Sequence, residues 1–579
     1  VVIPAAERGV EMTDKTSLLD AARFFRLYGD ADRAGRYLKV LGRLAAGDPQ
    51  VQAEAALLSA RIALDRFGAA RGLVRRGRRG EAARLLADLE IAPGVWKLHP
   101  VQARELARLQ RELAAEQEAL AAIAPLLKSK GVAIPDLSGA QALRLMQALR
   151  PGQSGAPDVP PKHYGHLAQA WAEPFARTPP TPAAIEEAAA LADRLAAFFA
   201  SGRLDQAPSL AGEILRSKLP HELKLSLFTR ARAYEKPAKP IRWERLEYIH
   251  PKARREFHYY VQLPPGYRPD EPRPVLLALH GQNSTAEVMQ HFWGRLAADN
   301  GIILISPEYV YGRKSGYLLS AEEQYAVMGA LWHAAGMFHV DMDRVYLTGH
   351  SQGGHACWDI GSAQAGRFAA VVPIIGAERA GHTYPNFRNS AVYAVDGSED
   401  GLAPKLNREM IGRLGSAWCD ATYVEYVARG HEAFHEEYAA IIDWLLGHRR
   451  KAAAEEVHLV ATRNCELEAK WIRLLRTQPP LPDRRAVAAK PYAFVKARAR
   501  NNHVHIEAEN VTRVQVLLAA GLFDFDRPVT IHANGRKVYG RRMWADWLCA
   551  LQEAYASRDR QAVYLGRISI SVPARAPPR

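Results

Sequence analysis

Gly349-His350-Ser351-Gln352-Gly353-Gly354 follows the apolar run Arg344-Val345-Tyr346-Leu347-Thr348 and precedes a helix-compatible segment. The spacing G-x-S-x-G has a steric origin. A serine on a sharp strand-to-helix turn sits in strained φ/ψ, so the residues two positions either side must lack bulk. Such a turn projects the Ser351 hydroxyl into a cleft and aims the backbone N–H of Gln352, at the start of the following helix, toward an oxyanion formed when the serine attacks a carbonyl. The pentapeptide alone also occurs as an ordinary loop, so the surrounding pattern decides.

Upstream, Pro274-Val275-Leu276-Leu277-Ala278-Leu279 is a continuous apolar run of buried parallel-strand type, ending in His280-Gly281-Gln282-Asn283. A second oxyanion donor belongs in the loop after an earlier strand, and the N–H of Gln282 is the candidate. Further β-rich runs follow: Ile302 to Ser306, the strand before Ser351, Ala369 to Ile375, Ala391 to Val395, and Thr422 to Val427. Helix-length segments separate them. The fold class expected is α/β, a doubly wound, mostly parallel sheet.

After Val395 comes Asp396-Gly397-Ser398-Glu399-Asp400-Gly401, and after the last strand Arg429-Gly430-His431. His431 is the candidate general base for Ser351, and Asp400, three residues past Gly397 on a turn, the candidate acid that holds its tautomer. Asp396 and Glu399 remain alternatives for the acid. The chain order Ser, Asp, His differs from the orders of the chymotrypsin and subtilisin arrangements.

On these motifs, together with Asp343-Arg344-Val345 and Leu279-His280-Gly281, residues from about 254 to 448, roughly a third of the chain, resemble an α/β-hydrolase of the polyhydroxybutyrate-depolymerase, feruloyl-esterase and predicted-peptidase type. The resemblance implies acyl transfer through a serine, while substrates range over carboxylic esters, acetyl groups, polyesters and peptides. Gln352 stands where many such proteins carry Met, which leaves the backbone N–H available. The expected activity is that of a carboxylic ester hydrolase acting on a small or polymeric ester. A serine peptidase with the same triad is the enzymatic alternative, and a non-catalytic partner-binding scaffold the alternative of another class.

His431-Glu432-Ala433-Phe434-His435 also matches H-E-x-x-H, in which two histidines one helical turn apart bind zinc, with Glu455 or Glu456 available as a third ligand. Gly430 argues that His431 belongs to a loop, and a zinc reading leaves the serine turn unexplained. The expectation is therefore no metal and no cofactor, with His435 on a helix face near the cleft. Tyr309, Tyr311 and Tyr317 follow the Ile302 to Ser306 strand, at the edge where ligands bind in such sheets, and are candidates for the substrate pocket. Arg313 and Lys314 beside them read as a solvated charge pair.

The chain has 579 residues, enough for about three or four structural units. Its net charge of +15 carries no basic run interleaved with aromatics, so no nucleic-acid partner is expected. Cys357, Cys419, Cys465 and Cys549 are too scattered for a disulfide framework. The longest apolar run, around Phe368 to Ala377, is interrupted by Pro373, so no membrane span is expected. Val1 to Lys15 lacks an apolar signal core; the expectation is a soluble protein of open location, with an extracytoplasmic site and an already removed signal as one option. Oligomeric state has no sequence signature here.

Residues 1–236 are rich in Ala, Leu and Arg at helical spacing, and pieces such as Gly77-Arg78-Arg79-Gly80-Glu81-Ala82 suggest paired, repeat-like helices. A Pro- and Gly-rich linker is expected at 151–182, and the hydrolase from 241 to 450. Residues 455–575 alternate with period two. Asn501-Asn502 and Asn534-Gly535 mark hairpins of a sandwich-like β domain, expected to serve as scaffold rather than binding module.

Overall fold

The computed structural model describes residues 182–579 apart from 231–233, 235–236, 270, 310–316, 365, 379–382, 484–491 and 576–579, with isolated positions between 18 and 114. The chain divides into two compact units, Val1–Ala168 and Gln169–Arg579. In the first, the described positions Leu18, Leu41, Ala70, Ala82 and Leu113 are helical and buried, as the Ala- and Leu-rich spacing predicts. Most of the Pro- and Gly-rich stretch 151–182 lies outside the described residues.

In the second unit, β1 (Glu244–His250), β2 (Arg255–Gln262), β3 (Arg273–Leu279), β4 (Ile303–Pro307), β5 (Val340–His350), β6 (Ala370–Ile374), β7 (Ala391–Gly397) and β8 (Ala421–Tyr426) form one sheet. Their order is β1-β2-β4-β3-β5-β6-β7-β8. β2 pairs antiparallel with both β1 and β4, so it alone runs against the rest, and neighbours from β4 to β8 are parallel. Alternation explains the apolar run of β3. Val275, Leu277 and Leu279 enter one core cluster, with helices Ala321–Met337 and Gln352–Ala363, while Leu276 and Ala278 enter another, with helices Ala286–Asp299 and Tyr438–Leu446. A strand buried on both faces has no polar side to show. On the second face Trp293 stacks on Tyr438 at 4.0 Å, closing the layer.

Beyond the sheet, β9 (Glu456–Ala461), β10 (Glu468–Ala469), β11 (Ile472–Thr477), β12 (Ala493–Arg500), β13 (His503–Glu509), β14 (Val511–Ala519), β15 (Pro528–Ala533), β16 (Arg536–Arg542) and β17 (Tyr564–Ser571) form two more sheets, β10-β11-β14-β17 and β16-β15-β13-β12-β9, which share one apolar core. Both expected hairpin turns are present. Asn501 and Asn502 have φ of 51° and 62°, and Asn534 and Gly535 46° and 79°, the positive values a two-residue hairpin loop requires.

Polar groups join this sandwich to the eight-stranded sheet. The Arg450 guanidinium, 3% exposed, spans Asp343 at 2.9 Å and Asp559 at 2.7 Å. Arg463, fully buried, lies 2.9 Å from Asp359 and 2.6 Å from Glu466, and also donates to the carbonyl of Leu319. Asn386 completes the seam by exchanging hydrogen bonds with the backbone of Val460. Each buried charge is met by more than one partner, which is what tolerates its removal from water.

Candidate active site

At the end of β5 the backbone turns sharply. Ser351 has φ 58° and ψ −116°, a conformation that costs a non-glycine residue about 1–3 kcal/mol and persists only where its surroundings enforce it. A Cβ on Gly349 would lie 2.0 Å from the Gly353 carbonyl oxygen, and one on Gly353 would lie 2.2 Å from that of Leu279. Both ends of the G-x-S-x-G spacing are therefore sterically closed to any side chain. The Ser351 N–H donates to the carbonyl of Ile374 at 2.9 Å, tying the turn to β6.

His431 and Asp400 arrive from the loops after β8 and β7. The Asp400 N–H closes a turn on the Gly397 carbonyl, and the two loops are laced together: Glu399 N–H donates to Arg429 O at 2.9 Å, and Ala428 N–H to Ser398 Oγ at 2.8 Å. Across this junction His431 Nδ1 lies 2.8 Å from Asp400 Oδ1, and His431 Nε2 lies 2.8 Å from Ser351 Oγ. The His431 side chain is 52% exposed and that of Asp400 13%. Of the alternative acids, Glu399 is exposed, while Asp396 turns into the interior, accepting from Asn407 Nδ2 at 2.7 Å and Tyr423 O–H at 3.1 Å. Burial pushes the Asp396 carboxyl up to about 6.

Gln352 opens the helix Gln352–Ala363, so its N–H is among those left without an intrahelical acceptor. Gln282 occupies the exposed turn after Gly281, and a Cβ built on Gly281 would come within 3.3 Å of Ser351 Cβ. The two candidate oxyanion donors thus belong to segments that abut at the serine. A support for this loop escaped the sequence reading: Glu308 accepts from Ala286 N–H at 2.8 Å and pairs with His280 Nε2 at 3.0 Å. Burial opposes its charge, but His280, the Ala286 N–H and His258 together outweigh it, and the carboxyl settles below its ordinary range.

Two of the tyrosines expected at the pocket have hydrogen-bonded hydroxyls in the structure. Tyr309 is buried, and its hydroxyl donates to the His280 carbonyl at 2.8 Å, so its ring is core and its polar end braces the loop before Gln282. Tyr317 is half-buried, with its hydroxyl 2.5 Å from Asp359 Oδ2, the carboxylate that also receives Arg463. Tyr311, Arg313 and Lys314 lie outside the described residues.

His431 and His435 do not share a helix. His431 lies in a bend, Phe434 between them adopts a left-handed conformation, and His435 starts the short 3₁₀ turn His435–Glu437. The His435 ring packs on Phe292 and Tyr438, with centroids 4.7 and 5.0 Å away. Glu432 pairs with Arg429 at 2.5 Å, and the Arg429 guanidinium lies over the rings of Tyr426 and Phe434, which staples the His431 loop. The run Arg429-Gly430-His431-Glu432 with Glu436 is its sequence signal. His350 lies 6.2 Å from the His431 ring; burial, then the neighbouring His431, lowers it to about 4 and keeps it neutral.

No protein-family profile matches the chain. A bifunctional acetylxylan esterase/xylanase, XynS20E, of Neocallimastix patriciarum is 28% identical over 142 residues, which span 23% of this chain and 21% of that protein. Among solved structures, a thermostable esterase aligns with 36% of this chain and 64% of its own at 19% identity and a TM-score of 0.34. An S-formylglutathione hydrolase, FrmB, from Staphylococcus aureus aligns with 35% of this chain and 98% of its own at 16% identity and a TM-score of 0.29. The strand order of the eight-stranded sheet, its helices on both faces and the strained serine at the end of β5 are those of an α/β-hydrolase-like fold.

Proposed function

We propose that the chain is a serine hydrolase that cleaves carboxylic esters through an acyl-enzyme. Ser351 Oγ attacks the ester carbonyl while His431 Nε2 takes its proton, and Asp400 holds the imidazole by its Nδ1–H and stabilises the imidazolium. The N–H groups of Gln352 and Gln282 receive the developing oxyanion. Collapse of the tetrahedral intermediate expels the alcohol, which takes its proton from His431. Water, deprotonated by the same imidazole, then releases the acid and restores Ser351.

The observation that carries this reading is the pair of 2.8 Å contacts on His431, one to Ser351 Oγ and one to Asp400 Oδ1. The local similarity to a protein named as an acetylxylan esterase/xylanase supports an ester as the bond cleaved, with an O-acylated polysaccharide as a substrate to test.

A fluorophosphonate should label the wild-type chain and leave Ser351→Ala unlabelled. p-Nitrophenyl esters of graded chain length, acetylated xylan, feruloyl and polyester substrates, and peptides then define specificity. Turnover of peptides alone points to the peptidase alternative. A wild-type chain that neither labels nor hydrolyses any ester refutes the proposal and leaves the scaffold reading.

A further inference from the structure

On β12 and β13 the buried residues are Val495, Ala497, Ala499, Val504, Ile506 and Ala508, so the intervening ones face outward. Three successive outward positions of β12 are cations, Lys496, Arg498 and Arg500. Register extends this across the sheet: Arg498 stands opposite His505, His505 beside His532, and His532 opposite Lys537, with Arg500 opposite His503 in the adjacent row. The His505 and His532 rings are parallel, 5.2 Å apart, and His532 Nδ1 is buried without a partner.

Two carboxylates stand opposite these cations in register, Glu456 opposite Arg498 and Glu507 opposite Lys496, but each is paired with another group. Glu507 pairs with Arg575 at 3.4 Å, and Glu456 with His458 at 2.6 Å. Among the described residues no carboxylate lies within ion-pair distance of Arg498, Arg500 or Lys537. Cations packed on one sheet face repel, so an anion laid across them is favoured twice, by attraction and by relief of that repulsion. At its β9 edge the face opens into a cleft of about 930 Å³, lined by His458 and Phe494 of the sheet and by Tyr384, Arg388, Arg413 and the carboxylate Glu409 from the hydrolase side, with Arg388 paired to Glu456 at 3.5 Å. Arg413 lies on helix Ala403–Ser416, which starts just after Asp400. At 1.5 Å per residue this helix spans about 20 Å, the length that separates the Arg413 end from the Asp400 turn.

We propose that this face and cleft bind an acidic polysaccharide carrying a carboxylate on successive sugars. The β12 cations recur every second residue, about 7 Å apart, and Lys537 lies three strand spacings, about 14 Å, from Arg498, so the charges are presented singly and suit a chain whose charges also recur singly. Duplex nucleic acid carries a charge every ~1.7 Å, and binders of single strands rely on aromatic platforms; the row Arg498-His505-His532-Lys537 contains no Phe, Tyr or Trp. Binding rests on no step of the ester chemistry, but its role in presenting substrate to Ser351 rests on the function proposed above.

The test is affinity electrophoresis of the full chain carrying Ser351→Ala through gels containing polygalacturonate, neutral xylan or poly(U). Polygalacturonate should retard the protein, neutral xylan should not, and about 0.5 M salt should abolish the effect by screening. The combined variant Arg498→Ser, Arg500→Ser, Lys537→Ser should raise the dissociation constant about tenfold, the loss of three exposed charge contacts. With Ser351 restored, the same triple variant should hydrolyse a small p-nitrophenyl ester at the wild-type rate. No retardation by polygalacturonate, equal retardation of the triple variant, or stronger retardation by poly(U) overturns the proposal. Retardation without fluorophosphonate labelling of the wild-type chain refutes the ester chemistry alone.

Discussion

The two ends of β5 make opposite use of charge. At its start, Asp341, 3% exposed, lies 2.7 Å from Arg344 Nε and 3.2 Å from Arg449 Nη1, and accepts from Gln561 Nε2 at 3.0 Å; Asp343 next to it receives Arg450. Burial opposes the Asp341 charge, but the two arginines and their hydrogen bonds outweigh it and hold the carboxyl below its ordinary range. At its other end Ser351 meets a half-exposed imidazole, and the loops that bring His431 and Asp400 are held by a few exposed contacts. The buried end is rigid because unpairing any member strands a charge. The open end is strained in its backbone and lightly held in its side chains, as the proposed mechanism asks of a group that passes a proton and admits a substrate.

Breaking the open end should have the largest effect. In the proposed mechanism His431→Ala removes the base, and hydrolysis of p-nitrophenyl acetate should fall by about 10⁴-fold or more with the unfolding midpoint nearly unchanged. His435→Ala should keep most of the rate, and activity should survive a strong chelator. Loss on chelation with recovery on zinc would favour the H-E-x-x-H reading.

Breaking the buried end should have the converse signature. Arg450→Met leaves Asp343 and Asp559 facing each other with no cation between them, so denaturant titration should show a loss of about 3–5 kcal/mol, with turnover per folded molecule close to wild type. A small loss of stability would mean that the seam between sandwich and sheet is held by its apolar contacts instead.

Asp396 lies beneath the open end yet behaves like the buried one. Its folded-state value is raised to about 6 by burial, so the folded protein binds the proton more tightly than the unfolded chain. This contribution to stability is complete below the unfolded carboxylate range, near 4, and is lost as pH rises through about 6, for a total of about 3 kcal/mol. Asp396→Asn removes this one contribution. Urea midpoints measured from pH 4 to pH 7 should therefore fall less, or rise more, with pH in the variant than in the wild type.

The smallest effect is expected at Arg429. Its ion pairs are exposed, so Arg429→Gln should leave the denaturation midpoint nearly unchanged. It should nevertheless lower kcat a few-fold by loosening the His431 loop, and the difference between wild type and variant should shrink in high salt.

Local physics made much of this readable. The run Pro274 to Leu279 is apolar throughout because both faces of β3 are covered, Gly349 is dictated by the Gly353 carbonyl four residues on, and Asn501-Asn502 and Asn534-Gly535 specify their own hairpins. Each depends on the residue and its near neighbours, so the sequence by itself determined the strands, the serine turn and the two-sheet character of the C-terminal region.

Contacts between distant segments were decided by the tertiary structure alone. Tyr309 reads as a pocket residue from its loop, but becomes a brace when its hydroxyl meets a carbonyl 29 positions earlier. Asp400 and Asp396 are equivalent carboxyls on one short stretch, distinguished only when packing buries one against Asn407 and Tyr423 and turns the other to His431. Arg463 gives no local sign that it reaches Asp359, 104 positions away. The physical reason is common to all three: a side chain's hydrogen-bond partner, and hence its charge and role, depends on which surfaces are brought together in space, and chain-local propensities do not encode that meeting.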